Sequence, residues 1–191
     1  MEAKGIIWVT TVPAEPVSLA YPRRTLLVLA GPPGAGKTTF ARRLLTGPRL
    51  EIDVIAREPD RAGRPIGFAV AARLILERAL SLSLSADQVI VDSTAVNPAY
   101  REDLCRVALA AGLEPHLLGV DATLAECESG LASRPRSPFA PMPFDVLLHY
   151  DESWRRLKEL AATGQISAEG WASVVIIDRV CATRLTAIHF G

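Results

Sequence analysis

An α/β fold is predicted, with a central parallel sheet of about five strands held between two helical layers. Three observations predict it. A glycine-rich segment, GPPGAGKT at 31–38, lies between an apolar β-rich run and a helical pattern. Strand and helix signals then alternate to about residue 178, as a parallel sheet with crossover helices requires. Four carboxylates, Asp53, Asp92, Asp121 and Asp178, close strand candidates at the sheet edge that faces the ligand crevice in open α/β folds.

The elements follow in order. Residues 1–24 are set apart: 5–12 (GIIWVTTV) is strand-like, and Pro13, Pro16 and Pro22 then interrupt regular structure. This segment is expected to be an N-terminal arm or edge strand on a single domain spanning 25–191. Strands are expected at 25–30, 50–53, 88–92, 116–120 and 173–178. Helices are expected at 37–45, 66–84, 98–111, 123–132 and 144–163. Pro98 suits a first helical turn, where a missing N–H costs little, and Gly112 suits the stop after that helix. The 66–84 helix is mostly apolar and should pack on the sheet, with Arg73 and Glu77 four apart on its exposed side. Leu80, Leu82 and Leu84 read as core rather than as a stripe for a partner.

The segment at 31–38 matches the phosphate-binding loop of nucleotide-binding enzymes at every position. Gly31, Gly34 and Gly36 allow the backbone N–H groups to converge on phosphate oxygens, with Pro33, Ala35 and Thr39 completing the cradle. Lys37 is expected on a solvent-facing loop with its ammonium on the outer phosphates, and Thr38 is placed to ligate Mg²⁺. The fold class is therefore a P-loop NTPase sandwich, and ATP with Mg²⁺ is the expected ligand. Asp92 ends VIVD, the form of a strand whose terminal carboxylate orients metal-bound water. Asp121 and Asp178 are read as caps of the segments that follow them.

The 133–143 stretch (SRPRSPFAPMP) carries four prolines and two arginines and cannot be helix or central strand. Arg134 and Arg136 are expected on a lid that closes over the phosphates rather than on an inert connector.

Composition excludes other classes. Hydrophobic residues make up 49% and the formal net charge is +0, against disorder and against a broad nucleic-acid surface. Cys105, Cys127 and Cys181 lack metal-type spacing and read as buried thiols in a reducing, cytoplasmic compartment. No apolar run is long enough to span a membrane, and 1–13 lacks a signal-peptide core.

Taken together, GPPGAGKTTFARRLL, VIVDSTAVNPAYREDL, AGLEPHLLGVDATLAEC and RPR resemble the polynucleotide-kinase-type P-loop phosphotransferases, a group of AAA_33-like ATP-dependent kinases. The resemblance covers about 26–178. It implies transfer of the γ-phosphoryl group of ATP to a hydroxyl, with Asp53 as general base. The sequence departs from the family pattern at three places. Ala56 stands where an arginine usually follows the base, with Arg57 one position later. Ala95 replaces an asparagine after Thr94, and Ser129-Gly130 stand where an Arg-Asn pair is usual. A small-molecule acceptor is favoured over a 5′-hydroxyl polynucleotide end. Few aromatic residues are available to stack bases, Phe68 being the nearest to the acceptor region. The alternative is a slow nucleotide-hydrolysing switch or assembly factor. The Asn-Lys-x-Asp signature of a guanine-reading switch is absent.

Overall fold

A computed structural model describes residues 5–9, 17–133 and 142–191. Six parallel strands form the central sheet: β1 (Gly5–Val9), β3 (Thr25–Ala30), β4 (Arg49–Glu51), β5 (Gln88–Asp92), β6 (Glu114–Asp121) and β7 (Ser173–Asp178). Their spatial order is β1-β7-β6-β3-β5-β4. The phosphate-loop strand β3 is thus central, flanked by β6 and β5. A strand hydrogen-bonded on both sides and buried on both faces should read as a continuous apolar run, and β3 does: every residue of TLLVLA is buried.

Alternate residues along each strand feed two separate cores, because successive side chains point to opposite faces. On one face Leu26, Val28, Val89, Val91, Leu117, Val174 and Ile176 pack against α3 (Gly67–Leu82), α4 (Pro98–Ala110) and α6 (Phe144–Ala162). On the other, Leu27, Leu29, Ile90, Leu118, Val120, Val175 and Ile177 meet α1 (Lys37–Leu44), α5 (Leu124–Ala132) and α7 (Arg179–Arg184). Each such aliphatic side chain contributes roughly 1.5–3 kcal/mol when fully buried, so these two layers are the main source of stability. Cys105, Cys127 and Cys181 are buried and unpaired within them.

Three expected strands, at 25–30, 88–92 and 173–178, have the bounds read from the sequence. The expected 50–53 strand does not. It stops at Glu51, opposite Asp92 where its neighbour β5 also ends, and the chain turns into the short helix α2 (Ile52–Ile55). Asp53 therefore sits on a helical turn beyond the sheet edge and does not close a strand. Two further features were not anticipated. β2 (Val17–Tyr21) and β8 (Leu185–Phe190) make a second, two-stranded parallel sheet. A 3₁₀ turn, Gln165–Glu169, precedes β7.

The caps explain the remaining boundaries. Asn97 accepts from Ala99 N and places Pro98 at the start of α4; Gly112, at φ 65°, ends it. Asp178 caps α7 by accepting from Cys181 N at 2.6 Å. Asp121 caps nothing. It accepts from Lys158 Nζ at 3.0 Å and Trp154 Nε1 at 2.8 Å, while Thr123 and Glu126 form the capping box of α5. Leu82, the last residue of α3, packs against the core, but Leu80 and Leu84 are 45% and 87% exposed. Leu80 turns outward with Arg73 and Glu77, Leu84 lies beyond the end of α3, and of the three leucines only Leu82 joins the core.

Candidate active site

The loop between β3 and α1 is held by close backbone packing that only glycine permits. Gly31, Gly34 and Gly36 have φ of 134°, 87° and 97°. A Cβ on Gly31 would meet the Val120 carbonyl oxygen at 2.5 Å, and one on Gly34 would collide with the Cys127 carbonyl of α5. Gly130, one helical turn after Cys127, lies against the Gly34 backbone in the same way. The loop is also tied to the segment after β5, since Gly31 N donates to Thr94 O at 3.0 Å.

Lys37, the first residue of α1, was expected on a solvent-facing loop; it is only 7% exposed. Its ammonium donates to the carbonyl oxygens of Gly31 at 2.8 Å and Pro32 at 2.9 Å. Two loop carbonyls thus hold the cation over the cradle, and the lysine is part of the local structure as well as of the binding surface. Thr38 follows it in α1, beside Asp92 at the end of β5.

Asp92 is 4% exposed, and burial pushes its carboxyl above the usual carboxylate range. The Thr38 hydroxyl and the Lys37 charge oppose that shift, and the charges of Glu51 and Asp53 add to it. Its Oδ2 is buried and has no hydrogen-bond partner among the described residues. An orphaned buried carboxylate oxygen beside a threonine hydroxyl is an incomplete, all-oxygen donor set. Mg²⁺ fits such a set, because it is bound through one or two protein oxygens plus waters and phosphates. No group of three His, Cys, Asp or Glu side chains among the described residues makes a denser metal site.

One cavity gathers five of the predicted residues. Its lining includes Pro33, Lys37, Thr38, Asp53 and Asp92. Gly31, Gly34, Ala35 and Gly36 form the loop itself, whereas Thr39 is exposed on α1 and outside the lining. Arg134 and Arg136 lie outside the described residues; of the 133–143 stretch, Met142 reaches the cavity. Sequence reading missed Glu51, Ser93 and Tyr150 in the wall, whereas Thr94, which the family resemblance carries over with Asp92, lies in it. Glu51 is carried by the same β4–β5 pairing that sets Asp92 and is bound by Arg49 at 2.8 Å and Arg42 at 3.1 Å. Tyr150 comes from α6, too far along the chain for any local signal; burial and the Asp53 charge raise its phenol pKa.

Comparison with known proteins places the chain. A family model described as an AAA domain, AAA_33, matches residues 26–157. The chain belongs to the AAA_33 family. Among solved structures it is similar to a gluconokinase from Sinorhizobium meliloti 1021, at 17% identity and a TM-score of 0.55, over 87% of this chain and 89% of that one. A protein of Chloroflexus aurantiacus j-10-fl with a provisional kinase designation gives 18%, 0.55, 86% and 90%. A structure from the PezAT toxin-antitoxin system of Streptococcus pneumoniae gives 17%, 0.55, 85% and 70%. No curated protein matches. At these identities the structural likenesses establish a P-loop kinase fold, and the acceptor has to be argued from the site.

The structure places two of the positions at which the sequence departs from the family pattern it resembles. Ala56 is fully buried, so the position three after Asp53 points into the core, and Arg57 lies on the exposed surface. Ala95 sits at φ 47°, a left-handed conformation that asparagine tolerates better than alanine. Arg101, itself 1% exposed, holds this turn by donating to the carbonyls of Ala95 and Val96 while paired with Glu169. No helix among the described residues is long and apolar enough to cross a membrane.

Proposed function

We propose that the protein is an ATP-dependent phosphotransferase that moves the γ-phosphoryl group of ATP to a hydroxyl of a small molecule held beside Asp53. The observation that carries this reading is the single cavity lined by Lys37 and Thr38 from α1, Asp92 from β5 and Asp53 from α2. The AAA_33 membership and the likeness to a structure named as a gluconokinase support it. The buried, unpaired thiols support a cytoplasmic setting.

In this reading the loop amides of 31–38 cradle the phosphates at the N-terminus of α1, and Lys37 supplies the countercharge. Thr38 and Asp92 would hold Mg²⁺, which when bound neutralises charge on the β- and γ-phosphate oxygens. The acceptor oxygen bonds to the γ-phosphorus as the bridging P–O bond to the β-phosphate breaks and its electron pair leaves with ADP. Asp53 takes the hydroxyl proton. Arg134 and Arg136, on the 133–143 segment, are assigned to close on the transferring group.

Such a base contributes about 10² to 10⁴-fold. Asp53→Asn is expected to lose transfer on that scale while keeping ATP affinity, measured by product formation and calorimetry in parallel. The slow-switch reading draws on the burial of Ala56, which leaves no guanidinium three residues after Asp53. A switch has no acceptor proton to remove, so wild-type activity in Asp53→Asn beside an inactive Asp92→Asn would favour it and remove Asp53 from the mechanism.

A further inference from the structure

Resting on the phosphotransferase reading, we propose that Tyr150 is a further acceptor-contacting residue, whose phenol hydroxyl donates a hydrogen bond to the acceptor oxygen and aligns it between Asp53 and the γ-phosphate. The buried residues of α6 are Leu147, Trp154, Leu157 and Ala161, a stripe at helical spacing that faces the sheet. Tyr150 stands three residues after Leu147 and four before Trp154, on that same face, yet it is only half-buried and lines the cavity. The reason is where α6 meets the sheet. Trp154 fills the space left by Gly119, where a Cβ would meet its indole at 2.7 Å. Its Nε1 donates to Asp121, the last residue of β6, at 2.8 Å. A helix leading back to a parallel strand runs antiparallel to the strands, so residue 150, one turn earlier, lies past the sheet edge. There it meets the cavity instead of the core.

Fixation and chemistry point the same way. Trp154 is buried, and Lys158, one turn on, donates to both Asp121 oxygens at 3.0 Å. Tyr150 is therefore carried on a helix pinned at the edge of the site, the rigid support that a positioned group needs. Asp53 lines the same cavity, and its charge adds to burial in raising the pKa of the Tyr150 phenol. The phenol consequently keeps its proton through the neutral range and is a donor there, not a competing base. An alcohol oxygen has one proton to give and two lone pairs. The proton goes to Asp53. One lone pair forms the bond to the γ-phosphorus as the bridge to the β-phosphate breaks and its electron pair leaves with ADP, and the other accepts from Tyr150. Tyr150 keeps its own proton throughout. Its hydrogen bond strengthens as the proton leaves the acceptor oxygen, and it orients that oxygen for attack. Ser93, another hydroxyl in the wall, is engaged with Tyr100 instead.

The test compares wild type, Asp53→Asn, the double variant and Tyr150→Phe, which removes one oxygen and keeps the ring. The first readout needs no acceptor. Tyrosinate absorbance is followed against pH, and the difference between each protein and its Tyr150→Phe counterpart isolates Tyr150 from Tyr21 and Tyr100, whose ionisation burial delays. That step should move to lower pH in Asp53→Asn, because the charge opposing ionisation is gone. An unmoved step overturns the proposal. The second readout is transfer of the γ-phosphoryl group of ATP to water, glycerol, gluconate, adenosine and a 5′-hydroxyl oligonucleotide. With the fastest of these, Tyr150→Phe should lower kcat about tenfold and leave ATP affinity, by calorimetry, within about twofold of wild type. The double variant should lose little beyond Asp53→Asn, since both groups act on one oxygen, whereas independent structural effects multiply. Unchanged kcat in Tyr150→Phe, or losses that multiply, overturns the role of Tyr150 and leaves the phosphotransferase reading standing. Absence of transfer to every acceptor, water included, by wild-type protein with ATP bound overturns both.

Discussion

Lys37 shows how one side chain can serve structure and binding together. Its ammonium satisfies the carbonyls of Gly31 and Pro32, so Lys37→Ala leaves two loop carbonyls without their charged donor. The variant is expected to lose most ATP affinity and about 1–2 kcal/mol of stability, read by calorimetry and urea unfolding. A melting curve identical to wild type would return Lys37 to the purely solvent-facing role that the sequence implies. His116 offers a second test at this scale, away from the cavity. It is 4% exposed and bonded through Nδ1 to Ser173 Oγ at 2.7 Å; burial holds its pKa down at about 4, against 6.5 in the unfolded chain. Because the folded value is depressed, its contribution is fully present above about pH 6.5 and is lost as pH falls toward 4. Unfolding midpoints between those limits should fall more steeply for wild type than for His116→Gln, which carries no titrating ring. Parallel pH profiles would remove His116 from the acid response.

At the scale of elements, the turn after β5 joins Asp92 to the phosphate loop. Thr94 O receives Gly31 N, Ala95 sits at positive φ, and Arg101 grips the next two carbonyls from α4. A β-branched side chain cannot take that backbone conformation without strain, and Ala95 is 3% exposed. Ala95→Val should therefore cost about 2 kcal/mol in denaturant unfolding, and should weaken ATP binding through the Thr94 contact. Retained stability would mean that the turn relaxes without disturbing the loop. This network was not legible in the sequence, because β6, α5 and α6 lie between Arg101 and Glu169 along the chain. The strands and long helices were legible for the opposite reason. Their apolar periodicity and caps lie within a single window, as in TLLVLA or Pro98 to Gly112. The failures sit where tertiary partners decide: β4 ends because β5 ends, and β2 exists because β8 lies beside it. Within the site, the phosphate loop and Asp92 announced themselves by motif. Glu51 and Tyr150 needed the folded chain to bring β4 and α6 to the same wall.

Across the whole molecule, the phosphate loop and the helix that leads toward residue 134 meet backbone to backbone at Gly34 and Gly130. Their juncture makes the family difference at 129–130 hard to reverse. Ser129 is exposed and could regain an arginine freely, but any side chain at position 130 drives a Cβ into the Gly34 carbonyl. Gly130→Asn should thus depress ATP affinity more than Ser129→Arg does, in a binding assay run beside thermal melting. Equal affinities in the two variants would mean that α5 simply shifts aside. Loss at position 130 alone would show that the loop–helix juncture admits no side chain there. An arginine added to this end of α5 would then have to stand at position 129, where the side chain is exposed, and not at 130.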